Sequence, residues 1–267
     1  RRMTPEALDF KEECDSIAAL LDGRDDDVFA KETLFKNWTI HYIIGHLHLW
    51  NIAADQTLNA PDKFMEFITM AMTGLMEGGS HQTLQDKYFG GKTSREIYNE
   101  WKAYYPAMAE RFHAADPDTR VKWAGPDMSV KSCIIARQME HWAHAQAIFD
   151  VLGVDRVNAD RLKNVAHIGV TTYSWSFKVN QREPILPKPY VRLTAPSGAI
   201  WEWNDPQDDN RVEGLAEEFA QVATQCRNIE DTALKTIGTA ATEWMQIAQA
   251  FAGGKETPPA KGARHKI

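Results

Sequence analysis

The sequence predicts an antiparallel α-helical bundle followed by a small α+β domain. Three observations carry this. Helical apolar spacing and helix start and stop signals recur through the first 165 or so of the 267 residues. Three prolines then crowd the nine residues QREPILPKP and break the pattern. Short β-rich runs, YVRLTA and AIWEW, follow only after that break. The expected division is a bundle over 1–180, an α+β domain over 181–253 and a mobile polar tail over 254–267.

Thr4-Pro5 reads as an N-cap with proline at the first helical position, and Gly23 should end that helix. A second helix is expected from near Trp38 through IHYIIGHLHLWNIAAD. Pro61 opens a third, with Phe64, Met65, Ile68, Met72 and Leu75 at helical spacing and Gly78-Gly79 as its stop. Met65, Met70, Met72 and Met76 read as core filler. Thr93 and Glu96 form a capping box for a fourth helix, which Pro106 should kink. Ser129 caps a long helix closed by Gly153. This is the material of an antiparallel bundle. Beyond the proline-rich stretch, Pro196-Ser197-Gly198 joins two strands as a hairpin. GLAEEFAQVATQCR and ATEWMQIAQAFAG are helical again. Strands are expected only after about residue 185.

Composition narrows the function classes. With 30 Lys+Arg against 37 Asp+Glu, the chain carries a net charge of −7. That balance argues against a basic nucleic-acid-binding face. No apolar run reaches the ~18 residues of a membrane span. The N-terminal residues contain no signal-type apolar segment, and Arg1 and Arg2 precede Met3, which reads as a start. Cys14, Cys133 and Cys226 are widely spaced, which suits a reducing cytoplasm and supplies neither a disulfide framework nor a cysteine zinc site. Phosphate-binding glycine loops, a nucleophile elbow and kinase motifs do not occur.

The placement of histidines is more informative than their number. Glu140 and His144 lie four apart on the long helix and share a face with Cys133, Ala136, Ala147, Ile148 and Val151. His46 shares a face of the second helix with Tyr42, Ile43, Leu49, Trp50 and Ala53. Ionisable groups aimed at apolar faces are costly without partners. A shared divalent metal would satisfy all three. On spacing alone, a helical Glu-x-x-x-His pair is more often a hydrogen-bonded pair, and a lone buried histidine is more often bonded to a carbonyl. His41, His48 and His141 compete as ligands. Asp25-Asp26-Asp27 reads as a solvated acidic run.

The segments WTIHYIIGHL (Trp38–Leu47) and ARQMEHWAHAQAIFDVLGV (Ala136–Val154) resemble the two metal-binding helices of the DinB/YfiT-like superfamily. Within it they look most like the N-terminal domain of the mycothiol-dependent maleylpyruvate isomerase family. VKWAGPDMS, DRLKNVAHIGV, LTAPSG and IAQAFAG extend the resemblance to bacterial metal-binding proteins that join this bundle to a C-terminal segment of the wyosine-base-formation type. The resemblance implies a DinB-like bundle with His46, Glu140 and His144 as ligands to zinc or a similar divalent ion. Three protein ligands with an open position make a catalytic rather than a structural site. It also implies a catalytic arginine in the C-terminal domain, for which Arg227 is the best match and Arg211 a weaker one. The plain reading of Arg227 is a helix-end arginine on carbonyls.

Trp50, Trp142 and Trp123 are the candidates to line a substrate pocket, although aromatic residues more often serve packing. The resulting expectation is a metal-dependent cytoplasmic enzyme acting on a small organic substrate, aromatic or carboxylate-bearing. A low-molecular-weight thiol such as mycothiol or glutathione would add to an activated double bond or displace a group, giving isomerase or S-transferase chemistry. The alternatives are a thiol-independent Lewis-acid isomerase or lyase, a non-catalytic metal-binding protein in which the metal is a brace, and an RNA-related role. No nucleic-acid partner and no membrane association are expected.

Overall fold

The computed structural model describes residues 3–267; Arg1 and Arg2, read as preceding the start, lie outside the described residues. The chain forms two compact units, one through Val151 and one from Leu152. The helical segment 162–178, which the sequence reading puts with the bundle, packs in the second unit.

The first unit is helical: α1 (Pro5–Leu21), α2 (Ile40–Asn59), α3 (Pro61–Met76), α4 (His81–Phe89), α5 (Ser94–Ala114) and α6 (Val130–Leu152). Thr4 precedes α1 without a side-chain cap; its amide instead donates to His113 Nδ1 at 2.9 Å. The Thr93–Glu96 capping box is present, with both bonds at 3.2 Å. Ser129 Oγ accepts from the Ser132 amide at 3.0 Å, as an N-cap should. Gly153, with φ 66°, supplies the left-handed residue that ends α6.

Four details depart from the sequence reading. Helix α2 starts at Ile40, because Trp38 is held in a turn in which its carbonyl accepts from the Thr33 amide and hydroxyl at 2.8 and 2.7 Å. Helix α4 was not legible as an element. Met65, Met72 and Met76 lie exposed along α3, since Phe64, Phe67, Ile68 and Ala71 take the buried stripe. Strand also appears early, as a two-residue ladder of β1 (Arg120–Val121) with β2 (Met128–Ser129). This ladder pins the loop before α6, and the bundle core remains helical.

The second unit holds α7 (Leu162–Thr171), α8 (Tyr173–Lys178), β3 (Tyr190–Thr194), β4 (Ile200–Trp203), β5 (Arg211–Leu215), α9 (Ala216–Ala223), β6 (Lys235–Ile237) and α10 (Thr239–Ile247). The expected hairpin is present: β3 pairs antiparallel with β4, Leu193 opposite Trp201. The sheet order is β4-β3-β5-β6, with β3 and β5 parallel. Val191, Leu193 and Val212 point into the core with Phe219 and Trp244. Gly169 lets α7 close on α9, where a Cβ would stand 2.9 Å from Ala223 Cβ and from Phe219 Cε1.

The expected mobile tail is tied down. Arg264 is buried and donates to the Gln225 carbonyl at 3.2 Å. The Gly262 amide donates to Asp231 at 2.8 Å, and Lys266 pairs with Asp155 at 2.8 Å. Polar composition marks a tail as soluble, but specific hydrogen bonds decide whether it is held.

Candidate metal centre

Three side chains from two helices converge in the first unit. Helix α2 contributes His46, and α6 contributes Glu140 and His144. One ligand atom from each lies within 4.8 Å of the others, and all three residues are partly buried. Among the described residues this is the group of His, Cys, Asp or Glu side chains placed to hold a metal ion. His144 Nε2 lies 3.2 Å from Glu140 Oε2, and the His46 and His144 rings meet at 4.7 Å between centroids.

The electrostatics match that use. Burial, then the neighbouring His144 and His81, push the His46 imidazole well below its ordinary range, so it is neutral and able to ligate. Burial pushes the Glu140 carboxyl up, but the hydrogen bond from His144 and the charges of His144, Arg137 and His81 outweigh it. Glu140 is therefore held as a carboxylate. His46 Nδ1 is screened from solvent and has no hydrogen-bond partner. A buried polar atom without a partner is costly, and here it sits beside a carboxylate and a second imidazole. This donor set of two imidazoles and one carboxylate fits a divalent ion of the zinc type.

The turn ahead of α2 walls the site. Lys36 and Asn37 have φ of 48° and 59°, and the Trp38 amide closes onto the Phe35 carbonyl at 2.8 Å. Two successive left-handed residues without a glycine store strain, which is typical of functional segments. The turn brings Trp38 edge-on to His46 at 5.4 Å and stacks it on His144 at 6.3 Å, and it places Phe35 edge-on to His144 at 5.2 Å. His81, at the start of α4, meets His46 edge-on at 5.4 Å. Phe35, Trp38 and His81 were not singled out from sequence. Lys36-Asn37 before a helix start was the available signal for the turn.

The competing histidines are engaged elsewhere. His141 Nε2 accepts from Trp101 at 3.2 Å and lies 3.3 Å from Asn51 Nδ2, while its Nδ1 bonds the Arg137 carbonyl at 2.8 Å. An Nε2 that accepts from an indole N–H carries no proton, so the Nδ1–H tautomer is fixed by its partners. His48 faces Glu100 at 3.6 Å, and His41 bonds Ser94 at 2.8 Å.

The tryptophans expected at the pocket divide differently. Trp142 is fully buried in the core and cannot line an open site. Trp50 and Trp123 contact each other at 5.8 Å, with Phe67 against Trp50 and Phe64 stacked on Trp123. They form an aromatic cluster with α3, and Trp38 is the tryptophan whose ring contacts reach the triad. Arg227 follows α9 in the second unit, and its Nη1 donates to the Cys226 carbonyl at 3.0 Å. Arg211 pairs with Glu213 and lies over the Tyr190 ring at 5.1 Å. The Asp25–Asp27 run belongs to a short 3-10 turn, where Asp26 accepts from Arg95 at 2.7 Å. Among the described residues no helix is long and apolar enough to cross a membrane.

Comparisons with known proteins identify the family and the fold. The family model for the mycothiol maleylpyruvate isomerase N-terminal domain matches residues 10–149, which include all three triad residues. An uncharacterized protein of Mycobacterium tuberculosis, in strains CDC 1551 / Oshkosh and H37Rv, is 33% identical over 262 residues, covering 97% of this chain and 98% of the relative. The crystal structure of the mycothiol-dependent maleylpyruvate isomerase shares the fold with a TM-score of 0.52 at 18% identity, over 82% of this chain and 88% of that one. A histidine-to-alanine mutant of that enzyme gives 0.53 at 15% identity over the same shares. With the model matched over more than half its length and a relative aligned along nearly all of it, the chain belongs to the mycothiol maleylpyruvate isomerase N-terminal domain family.

Proposed function

We propose that this protein is a thiol-dependent isomerase or S-transferase for a small organic substrate, with a divalent metal, most simply zinc, held by His46, Glu140 and His144. The convergence of those three groups around the partnerless His46 Nδ1 is the observation that carries the reading. A divalent ion bound there supplies positive charge that lowers the pKa of a thiol.

The thiol comes from outside the chain. Cys14, Cys133 and Cys226 are all buried, and burial pushes the Cys133 thiol up to about 12. A low-molecular-weight thiol such as mycothiol or glutathione fills the role. As a thiolate it adds to an electron-poor double bond, the resulting single bond rotates, and the thiolate leaves. Atoms and electrons balance, and the product is the geometric isomer. Glu140, kept ionised, and His46, kept neutral, hold the site ready for a cation at neutral pH. Phe35 and Trp38 exclude water and offer flat surfaces to an unsaturated substrate.

The test is elemental analysis of the purified full chain, then turnover of maleylpyruvate with mycothiol, with glutathione and with no thiol. Near-stoichiometric divalent metal, lost in His144→Ala, and thiol-dependent turnover are expected. Equal turnover without thiol would replace this reading by Lewis-acid catalysis. Metal with no turnover of any small unsaturated acid would leave a non-catalytic binding protein.

A further inference from the structure

One buried hydroxyl ties down both aromatic walls of the triad. Thr33 lies in the segment ahead of α2 and is buried. Its Oγ1 donates to the Trp38 carbonyl at 2.7 Å and accepts from the Phe35 amide at 3.2 Å. The Thr33 amide donates to the same Trp38 carbonyl at 2.8 Å, and the Ile40 amide closes the base of the loop on the Lys31 carbonyl at 3.0 Å. Residues 33–38 thus form a closed loop that carries Phe35 and Trp38.

Those two rings bracket His144. Trp38 stacks on it with the planes 13° apart, and Phe35 meets it edge-on at 81°. A ligating imidazole must present its nitrogen at a fixed angle, and the groups packed around it set that angle. The loop does not keep its shape by local preference. Lys36 and Asn37 sit in left-handed backbone, which is costly for residues other than glycine. Hydrogen bonds from Thr33 offset that cost. Thr33 itself lies outside the converging ligand set.

We propose that Thr33 is a positioning residue of the metal centre: its hydroxyl fixes the Phe35 and Trp38 rings and, through them, the orientation of His144. This rests on the metal reading above and is independent of the thiol. Valine resembles threonine in shape and lacks the hydroxyl, so Thr33→Val removes one bond from the Trp38 carbonyl and one from the Phe35 amide.

The experiment titrates the metal-free full chain with Co2+ and records the d–d absorption of wild type, Thr33→Val and Thr33→Ser. The Kd for Co2+ should rise about ten- to a hundredfold in Thr33→Val, the range for lost outer-shell support of a ligand. The d–d band of the loaded variant should shift. Thr33→Ser keeps the hydroxyl and should recover most of the affinity and the wild-type band. Far-UV circular dichroism checks that each variant is folded, and Thr33→Ala carries the same expectation if Thr33→Val does not fold. A purely structural role would lower Tm and leave the band of the loaded protein in place. Wild-type affinity and band in folded Thr33→Val overturn the inference and leave the metal reading intact. Thr33→Ser as impaired as Thr33→Val overturns it too, since the hydroxyl would not be the cause. Wild type that binds no Co2+, or His144→Ala that binds it equally well, overturns the metal reading and this inference with it.

Discussion

Arg137 Nε donates to Asn51 Oδ1 at 3.2 Å inside the bundle, joining the helix that carries Glu140 and His144 to the helix that carries His46. The same guanidinium reaches the Leu47 carbonyl at 3.3 Å, and Asn51 in turn bonds His141. The two ligand-bearing helices are therefore held in register by protein groups alone.

Arg137→Met should cost stability. It strands the buried Asn51 Oδ1, while the Leu47 carbonyl, inside α2, keeps its helical bond. Urea unfolding should show a loss of about 1–3 kcal/mol, the cost of one stranded buried acceptor, together with weaker metal binding. Arg137→Lys should recover little, because an ammonium lacks the planar fork that serves both acceptors. A Met variant as stable as wild type would show that the pair does not lock the helices.

Chelation should leave the fold standing. The Arg137–Asn51–His141–Trp101 network joins α2, α5 and α6 without a metal. Metal removal should lower stability by only the binding contribution, about 4 kcal/mol at a thousandfold excess over Kd. Far-UV circular dichroism at 25 °C should be unchanged after chelator treatment. Unfolding on chelation would make the metal a structural brace.

Acid should destabilise the protein from about pH 6.5 downward. Burial drives His48 from 6.5 to about 4, against the pull of Glu100. Between those values the unfolded chain binds the proton and the folded chain does not, so stability falls as pH drops. The contribution is about 3 kcal/mol when complete. His141, also lowered by burial and by Arg137, acts in the same direction. His48→Phe should flatten the pH dependence of Tm between pH 6.5 and 4; an unchanged slope would show that His48 does not titrate there.

The cysteines should be silent. Cys14, Cys133 and Cys226 are buried, with the Cys14 and Cys133 thiols pushed upward by burial. The folded protein should resist iodoacetamide over hours at pH 7.5, and a Cys14→Ala/Cys133→Ala/Cys226→Ala chain should still require an added thiol. Rapid labelling of the native chain would contradict the burial argument.

Gln85→Met should stabilise. The Gln85 side chain is buried at 2% exposure, and neither amide atom has a hydrogen-bond partner. A near-isosteric apolar side chain removes that desolvation cost, for a gain of about 1–3 kcal/mol seen as a raised Tm. A fall in Tm would place a bound polar partner at the amide.

The sequence by itself determined what local chemistry can specify. The Thr93–Glu96 capping box, the Ser129 cap, the Gly153 stop and the hairpin around Pro196-Ser197-Gly198 need only neighbours in the chain. Glu140 and His144 were legible as a pair, because helical periodicity alone puts residues four apart on one face. Only the tertiary structure decided the rest. His46 was legible as an inward histidine with His41, His48 and His141 as competing ligands, and packing engaged those three with Ser94, Glu100, Trp101 and Asn51. Trp142 lies wholly in the core while Trp38 meets His46 and His144, because their positions depend on how α6 meets the rest of the core and on two left-handed residues in a turn. His81 reaches the triad because Gly45, where a Cβ would stand 2.5 Å from Gln85 Oε1, lets α4 close on α2, and that contact joins segments whose spacing in the chain has no period. The β3–β5 parallel pairing and the anchored tail are likewise long-range contacts, for which composition carries no signal.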